Sequence, residues 1–396
     1  MLRIKSTPFH NTAGFLANAA AIAEYYGFEH FNALPKGKAA SRALPPGARP
    51  DSDILFARRD ERMLPSAARR LASVDRPLPI LAWRTTSQSG SQGGVAFELH
   101  AVGIPSAIAE ALLIVVANAI LKKAAVESRA LVLSNMGGSE SSARYARDVG
   151  TYLRKHIESI ALPLRPRAAT DPLGTLVQLI ERGHPGISRA PQSMDYLTED
   201  ERRRFWDVLE YIEMSGLPYE LSGSILGSRD CWAHTLFEIT GQDSATQQRE
   251  TLAFGGRYDP LMSRFARRTL PAAVVTITVE TRGPSTIKER HLGVRSMYLA
   301  HLGGEARRKA LPLLESLRQH GIPVYHSLWH ERIGEQMASA AALATPFILI
   351  MGHKEAVEGT VLVREVATNS QEAVPLPELP SYLKRKHVGS PLAARP

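Results

Sequence analysis

The sequence predicts an α/β protein in two parts, and three observations carry that expectation. Alternating, β-rich segments and longer helical segments follow one another along most of the 396 residues. Residues 161–220 break the pattern with Pro-rich turns and two helices, which reads as a helical insertion. Beyond residue 294 strands and helices alternate cleanly, which reads as a compact α/β unit with a central, mostly parallel sheet. The chain is 44% hydrophobic and 22% charged, the balance of a soluble globular protein with a core of ordinary size. No apolar run reaches the roughly 20 residues that cross a bilayer. The longest, 107–120, contains Glu110 and Asn118 and reads as a buried helix. The first ten residues lack the apolar core of a signal peptide. The single cysteine, Cys231, excludes an intramolecular disulfide framework and a cysteine-based zinc site, and no metal ligand set is expected. Cytoplasmic localisation follows as the expectation.

The elements follow in order. Residues 12–27 are Ala- and Leu-rich and read as a helix stopped at Gly27. Residues 34–53, rich in Pro, Gly and charge, form a loop. A helix is expected over 60–73, then strands at 79–86 and 95–103 joined by the uncharged turn 87–94. A helix at 106–125, a strand at 129–135 and a helix at 139–160 follow. Helices at 173–182 and 198–215 belong to the insertion, and strands return at 232–240 and 272–280. Residues 287–294 read as a linker between a core, 1–286, and a second unit, 295–386. The last ten residues, 387–396, read as a flexible tail.

Lys and Arg exceed Asp and Glu by nine, which favours polyanionic partners such as tRNA or other RNA. Two charge runs are candidate contacts: Arg202, Arg203 and Arg204 in the insertion, and Lys384, Arg385 and Lys386 near the end. Each also reads as a solvated helix face.

The most specific stretch is FGGRYDPL, residues 254–261. Two glycines permit close backbone approach, and Arg257, Tyr258 and Asp259 add a cation, a ring and a carboxylate. Taken alone, it reads as a strand-to-helix turn closed by a salt bridge. In context it carries a resemblance. Together with residues 190–221, HTLFEI at 234–239 and the segment IMGHKEAVEGTVLVR near the end, it resembles histidyl-tRNA synthetases, a family of class II aminoacyl-tRNA ligases. The resemblance covers nearly the whole chain. It implies a class II core with a mixed, mostly antiparallel sheet, an anticodon-binding-like α/β domain, a homodimer, and ATP- and Mg-dependent activation of histidine followed by transfer to tRNA.

The resemblance also assigns roles. Arg58 and Asp60 match the segment that holds the substrate's amino group, with Arg62 where the family has threonine. Arg84 matches the arginine that grips the α-phosphate, while Thr86 stands where a glutamate belongs. Gly255, Gly256, Arg257, Tyr258 and Asp230 match substrate-binding positions. Other positions depart. Gly227 stands at a phosphate-binding arginine, and Cys231 and Trp232 replace two tyrosines. Thr281 replaces the arginine that lies against ATP, with Arg282 one residue on, and Val274 and Thr278 replace glycines. If residues 225–239 form one strand, Arg229 lies on the face of Gly227, displaced by about 7 Å.

Three functions stay open. The departures favour a synthetase-like protein that no longer activates histidine and keeps an RNA-binding or regulatory role. The alternative is an active ligase in which Arg84, Arg229, Arg257 and Arg282 serve the phosphates of ATP. The third is a regulatory subunit resembling that of ATP phosphoribosyltransferase.

Overall fold

A computed structural model describes residues 12–35, 53–88, 94–124, 126, 129–242, 249–280 and 295–389. The first unit is built on an eight-stranded sheet. Helix α1 (Thr12–Tyr25) leads into a short strand β1 (Glu29–His30). After a helical turn at Asp60–Met63 come α2 (Leu64–Ala72), β2 (Ile80–Gln88), β3 (Gly94–Val102), α3 (Ile108–Lys123), β4 (Arg129–Asn135) and α4 (Ser139–Lys155). The insertion holds α5 (Arg165–Thr170), α6 (Pro172–Glu181) and α7 (Glu199–Met214). Then follow β5 (Tyr219–Leu221), β6 (Ala233–Gln242), β7 (Arg249–Arg257), α8 (Asp259–Ala266) and β8 (Ala272–Glu280).

The sheet runs β1-β2-β3-β8-β7-β6-β4-β5. Its five inner pairings are antiparallel, and only the edge strands β1 and β5 pair in parallel. Helix α3 lies in the core beneath the sheet, with Leu112, Leu113, Ile114, Val116 and Ile120 almost inaccessible. That apolarity on every side is the mark of a fully covered helix. Among the described residues, no helix is long and apolar enough to cross a membrane.

The second unit holds β9 (Met297–His301), α9 (Gly304–Gln319), β10 (Val324–His326), α10 (Ile333–Ala342), β11 (Phe347–Met351), α11 (His353–Glu358), β12 (Thr360–Glu365), β13 (Gln371–Pro375) and α12 (Leu379–Gly389). Its sheet order is β10-β9-β11-β12-β13. The first two pairings are parallel and the last two antiparallel. The sheet is therefore mixed rather than mostly parallel. The crossover helices α9 and α10 give parallel pairs, whereas six-residue α11 and the turn after β12 return the chain antiparallel. Helix α12 continues through His387–Gly389, where the tail was expected to begin. The linker 287–294 lies outside the described residues.

The two units pack on each other through α1 and α7. Tyr25 donates to the carbonyls of Ile322 (2.9 Å) and Leu314 (3.3 Å), and Tyr26 donates to Glu315. Arg307 donates to the Tyr211 hydroxyl at 2.7 Å, and Arg308 pairs with Glu210 at 3.2 Å.

Candidate active site of the core

The β2–β3 hairpin sets the first part of the site. Register places Arg84 opposite Glu98, and the two make a bidentate pair at 2.8 and 3.1 Å. Arg84 also donates to Ser66 Oγ at 2.9 Å and to the Met63 carbonyl at 3.1 Å. Thr86 donates to Glu98 at 3.0 Å. On the other side His100 Nε2 lies 3.0 Å from Glu98, and His100 Nδ1 lies 2.9 Å from the Tyr258 hydroxyl. Burial disfavours the Glu98 charge, but His100 and Arg84 hold its carboxyl below the usual range. Burial keeps His100 neutral. An ionised Glu98 then requires the proton on Nε2, which leaves Nδ1 to accept from Tyr258. The arginine assigned to the α-phosphate is thus enclosed by partners from its own chain.

The second part is organised by a residue that the sequence did not single out. Glu61 has no exposed surface. Its carboxylate accepts from the backbone of Ala57 (2.6 Å), Arg58 (3.1 Å) and Ser228 (2.8 Å), and from Trp232 Nε1 (2.9 Å). Burial pushes its pKa up to about 7 against these donors. Trp232 is only 2% exposed and meets Phe254 edge-on at 5.2 Å between centroids. Arg58 covers the Phe254 ring at 3.9 Å and reaches Glu238 at 3.0 Å and Asp60 at 3.4 Å.

Gly227 faces this cluster. A Cβ there would stand 2.3 Å from Trp232 Cδ1 and 2.7 Å from Glu61 Oε1. The indole therefore takes the space into which any side chain at 227 would project.

Residues 225–232 are not strand, contrary to the strand expectation for Arg229. Cys231 and Trp232 both donate backbone N–H to the Ser228 carbonyl, at 3.0 and 2.8 Å, which closes a turn. β6 begins at Ala233, and its register shifts between Ala233 and Leu236, where His234 takes a left-handed φ of 55°. Arg229 is carried away from the Gly227 position to α4, donating to Ser142 Oγ at 3.2 Å and to the Ser139 carbonyl at 3.3 Å. Asp230 accepts from the Leu55 backbone at 2.9 Å. Cys231 is buried, and burial raises its thiol pKa.

The double glycine sits where β7 crosses its neighbours. A Cβ on Gly255 would stand 2.4 Å from the Val274 carbonyl oxygen and 2.6 Å from the Phe237 ring. One on Gly256 would stand 2.5 Å from the Thr235 carbonyl oxygen. Close strand packing is reason enough for both. Arg257 is 1% exposed and bonds Glu110 at 2.8 Å, the Ile104 carbonyl at 2.5 Å and Asp259 at 3.1 Å. Glu110 also receives Arg204 at 3.1 Å. Burial opposes its charge, and the two arginines hold its carboxyl below the usual range.

Of the assigned residues, Arg58, Asp60, Arg84, Arg229, Asp230, Arg257 and Tyr258 are all engaged by side chains or backbone of the chain. Arg84, Arg229 and Arg257 bind three different sets of partners. Val274 is fully buried. Arg282 and Thr281 lie outside the described residues. Sequence reasoning missed Glu61, Glu98, His100 and Glu110. The one available signal was a carboxylate or histidine at a position whose neighbours are apolar, as for Glu110 in α3. Among the described residues no group of three or more His, Cys, Asp or Glu is placed to hold a metal ion.

Of the candidate RNA contacts, Arg202 and Arg203 are exposed, while Arg204 is turned inward to Glu110 and the Pro105 carbonyl. Lys384 and Arg385 are exposed on α12, and Lys386 approaches Glu365 at 3.8 Å.

An antiparallel sheet wrapped on a buried helix, a hairpin arginine, an inserted helical unit and an appended mixed α/β unit together define a class II aminoacyl-tRNA synthetase fold. Residues 296–386 match the family described as anticodon binding domain. The apo histidyl-tRNA synthetase of S. aureus has the same fold, with a TM-score of 0.51 at 19% identity, covering 94% of this chain and 95% of that one. The histidine–tRNA ligase of Bacillus velezensis is 28% identical over 292 residues, 73% of this chain and 69% of the relative. That of Thermosynechococcus vestitus is 28% identical over 298 residues, 73% and 68% respectively. Over about 73% of its length the chain is thus similar to histidine–tRNA ligases, and its second unit carries the match to the anticodon binding domain.

Proposed function

We propose that this chain is a histidyl-tRNA synthetase-like protein that does not activate histidine and that acts by binding tRNA or another RNA. One observation carries the reading: Trp232, hydrogen-bonded to Glu61 and packed on Phe254, fills the space beside Gly227 where the resemblance puts a phosphate-binding arginine. Adenylation develops charge on phosphorus and needs cations aimed at it. Here Arg84 and Arg257 are neutralised by Glu98 and Glu110 inside the fold, so they offer little field to a nucleotide. ATP and Mg are then not required for the protein's role. The matched anticodon-binding region and the basic surface support an RNA partner. We further place the protein in the cytoplasm as a homodimer, with a core to about 286, a linker at 287–294 and the second domain at 295–386.

The test is histidine-dependent exchange of pyrophosphate into ATP by the purified chain. Exchange at background, with tRNA retained on a filter at low salt, is the expected result. Exchange well above background would return the active ligase to first place.

A further inference from the structure

The second unit carries an open cleft of about 310 Å³ between one end of its sheet and α12. Register explains the lining. Phe347 of β11 lies opposite Glu365 of β12, and Val363 of β12 lies opposite Glu372 of β13. Val363 and Glu365 are two positions apart on one strand, so all four side chains share a face. Tyr382 and Lys386, one helical turn apart on α12, form the facing wall. Phe347 and Val363 are buried and make an apolar floor. The Glu365 N–H donates to the Ser370 carbonyl at 2.9 Å, which makes Glu372 the diagonal neighbour of Glu365, about 7–8 Å away at the backbone.

The polar groups of the cleft are only partly committed. The Tyr382 hydroxyl donates to Glu372 at 2.7 Å, which orients the ring and occupies one carboxylate oxygen. Lys386 Nζ stands 3.8 Å from Glu365, beyond hydrogen-bond length, and 5.9 Å from the centroid of the Tyr382 ring. Two carboxylates and one ammonium therefore line the space, so negative charge is in excess there. An apolar floor, an aromatic wall and excess negative charge suit a cation that carries an apolar stem. A divalent metal ion demands a fuller oxygen cage than two carboxylates provide. Among the described residues no group of three or more His, Cys, Asp or Glu is placed to supply one.

We propose that this cleft is a binding site for a primary alkylammonium group, with the ammonium between Glu365 and Glu372 and the stem lying on Phe347 and Val363. Charge-assisted N–H···O bonds run at about 2.7–2.9 Å, so small rotations of the two glutamate stems bring both carboxylates to one ammonium. The site is separate from the core, and its occupancy does not depend on whether histidine is activated.

The experiment titrates the full chain with hexylamine, hexanol and methylamine by isothermal calorimetry. Hexylamine is expected to bind about tenfold or more tighter than hexanol, which lacks the cation, and tighter by at least as much than methylamine, which lacks the stem. Glu365→Gln with Glu372→Gln is expected to remove the advantage over hexanol. Lys386→Gln takes away the one cation of the lining and is expected to tighten hexylamine severalfold. Equal affinities for hexylamine and hexanol, or hexylamine binding that neither substitution moves, would overturn the proposal. So would calcium chloride displacing hexylamine at equal concentration. Both glutamates lie at the surface, so the variants are expected to melt with the wild type; should the double variant not fold, each single glutamate variant repeats the comparison. A free amine and a lysine side chain of another protein carry the same group, and titrating a lysine blocked at both backbone ends beside hexylamine shows which source binds tighter. Pyrophosphate exchange by the wild type would defeat the functional reading and leave this site standing, and equal affinities for hexylamine and hexanol would leave an absence of exchange untouched.

Discussion

The buried charges of the core and the buried histidines of the second unit are held in different ways. In the core, Glu61, Glu98, Glu110 and Arg257 are buried and each meets a full set of partners. In the second unit His301 is 1% exposed, and its ring has the Leu328 backbone beside it but meets no partner at full hydrogen-bond geometry. His326 Nδ1 and Trp329 Nε1 are buried in the same condition, although His326 Nε2 reaches the Tyr26 carbonyl at 3.1 Å. In the core, Arg84 and Arg257 pair with Glu98 and Glu110. In the second unit, burial opposes protonation of His301 and His326.

The largest way to break this contrast is in the core. Arg257→Met leaves Glu110 with Arg204 alone, and a buried charge stripped of a partner costs about 3–5 kcal/mol. Urea denaturation should show that loss. A loss below about 1 kcal/mol would mean that Arg257 is not structural and is available to a ligand.

Acid should weaken the second unit. Burial lowers the pKa of His301 to about 4 and of His326 to about 3. Unfolded histidine titrates near 6.5, so above that pH neither state binds the proton. As pH falls from about 6.5 toward 4, the unfolded chain takes up protons that the folded one refuses, and stability falls. The loss is about 2 kcal/mol per histidine at pH 5. Thermal melts at pH 7 and pH 5 measure it, and His301→Asn should flatten the dependence. A flat profile in the wild type would show that neither ring is held neutral by burial in solution.

Gly227→Ala tests the packing directly. The added methyl meets the indole and the Glu61 carboxylate, and overpacking of that kind costs about 1–3 kcal/mol. The same change in a Trp232→Gly background should cost much less, since the clash is gone. Equal costs in both backgrounds would show that the indole does not fill this space.

Much of the fold was legible because its signals are local. The β2–β3 hairpin, α3, α4, α7 and the alternation after residue 294 each follow from periodicity and turn residues over a dozen positions. β7 was hidden by its glycines, which are there to let strands approach, and β5 and α11 were too short to leave a pattern. The site was less legible. The salt bridge Arg257–Asp259, two residues apart, could be read from the triplet. Glu61 with Trp232 and Arg257 with Glu110 join positions 171 and 147 residues apart, and nothing in a single sequence pairs them. The strand expectation for Arg229 failed for a local reason, since the turn at Ser228 and the bulge at His234 interrupt a segment whose apolar flanks do look like strand.

The smallest expected effect concerns the surface rather than the interior. Lys384 and Arg385 are exposed on α12, whereas Arg204 is committed to Glu110 and a backbone carbonyl. If phosphates are neutralised by the second unit, Lys384→Ala with Arg385→Ala should weaken RNA binding uniformly across sequences and lower the salt slope by about one per cation removed, without moving the melting temperature. Arg204→Ala should do the reverse, lowering the melting temperature and leaving the salt slope alone. Filter binding at several salt concentrations, run beside thermal melts, separates the two. An unchanged slope in the double variant would move the RNA contact away from α12. A slope lowered by Arg204→Ala would show that the insertion gives up its internal ion pair with Glu110 to bind RNA.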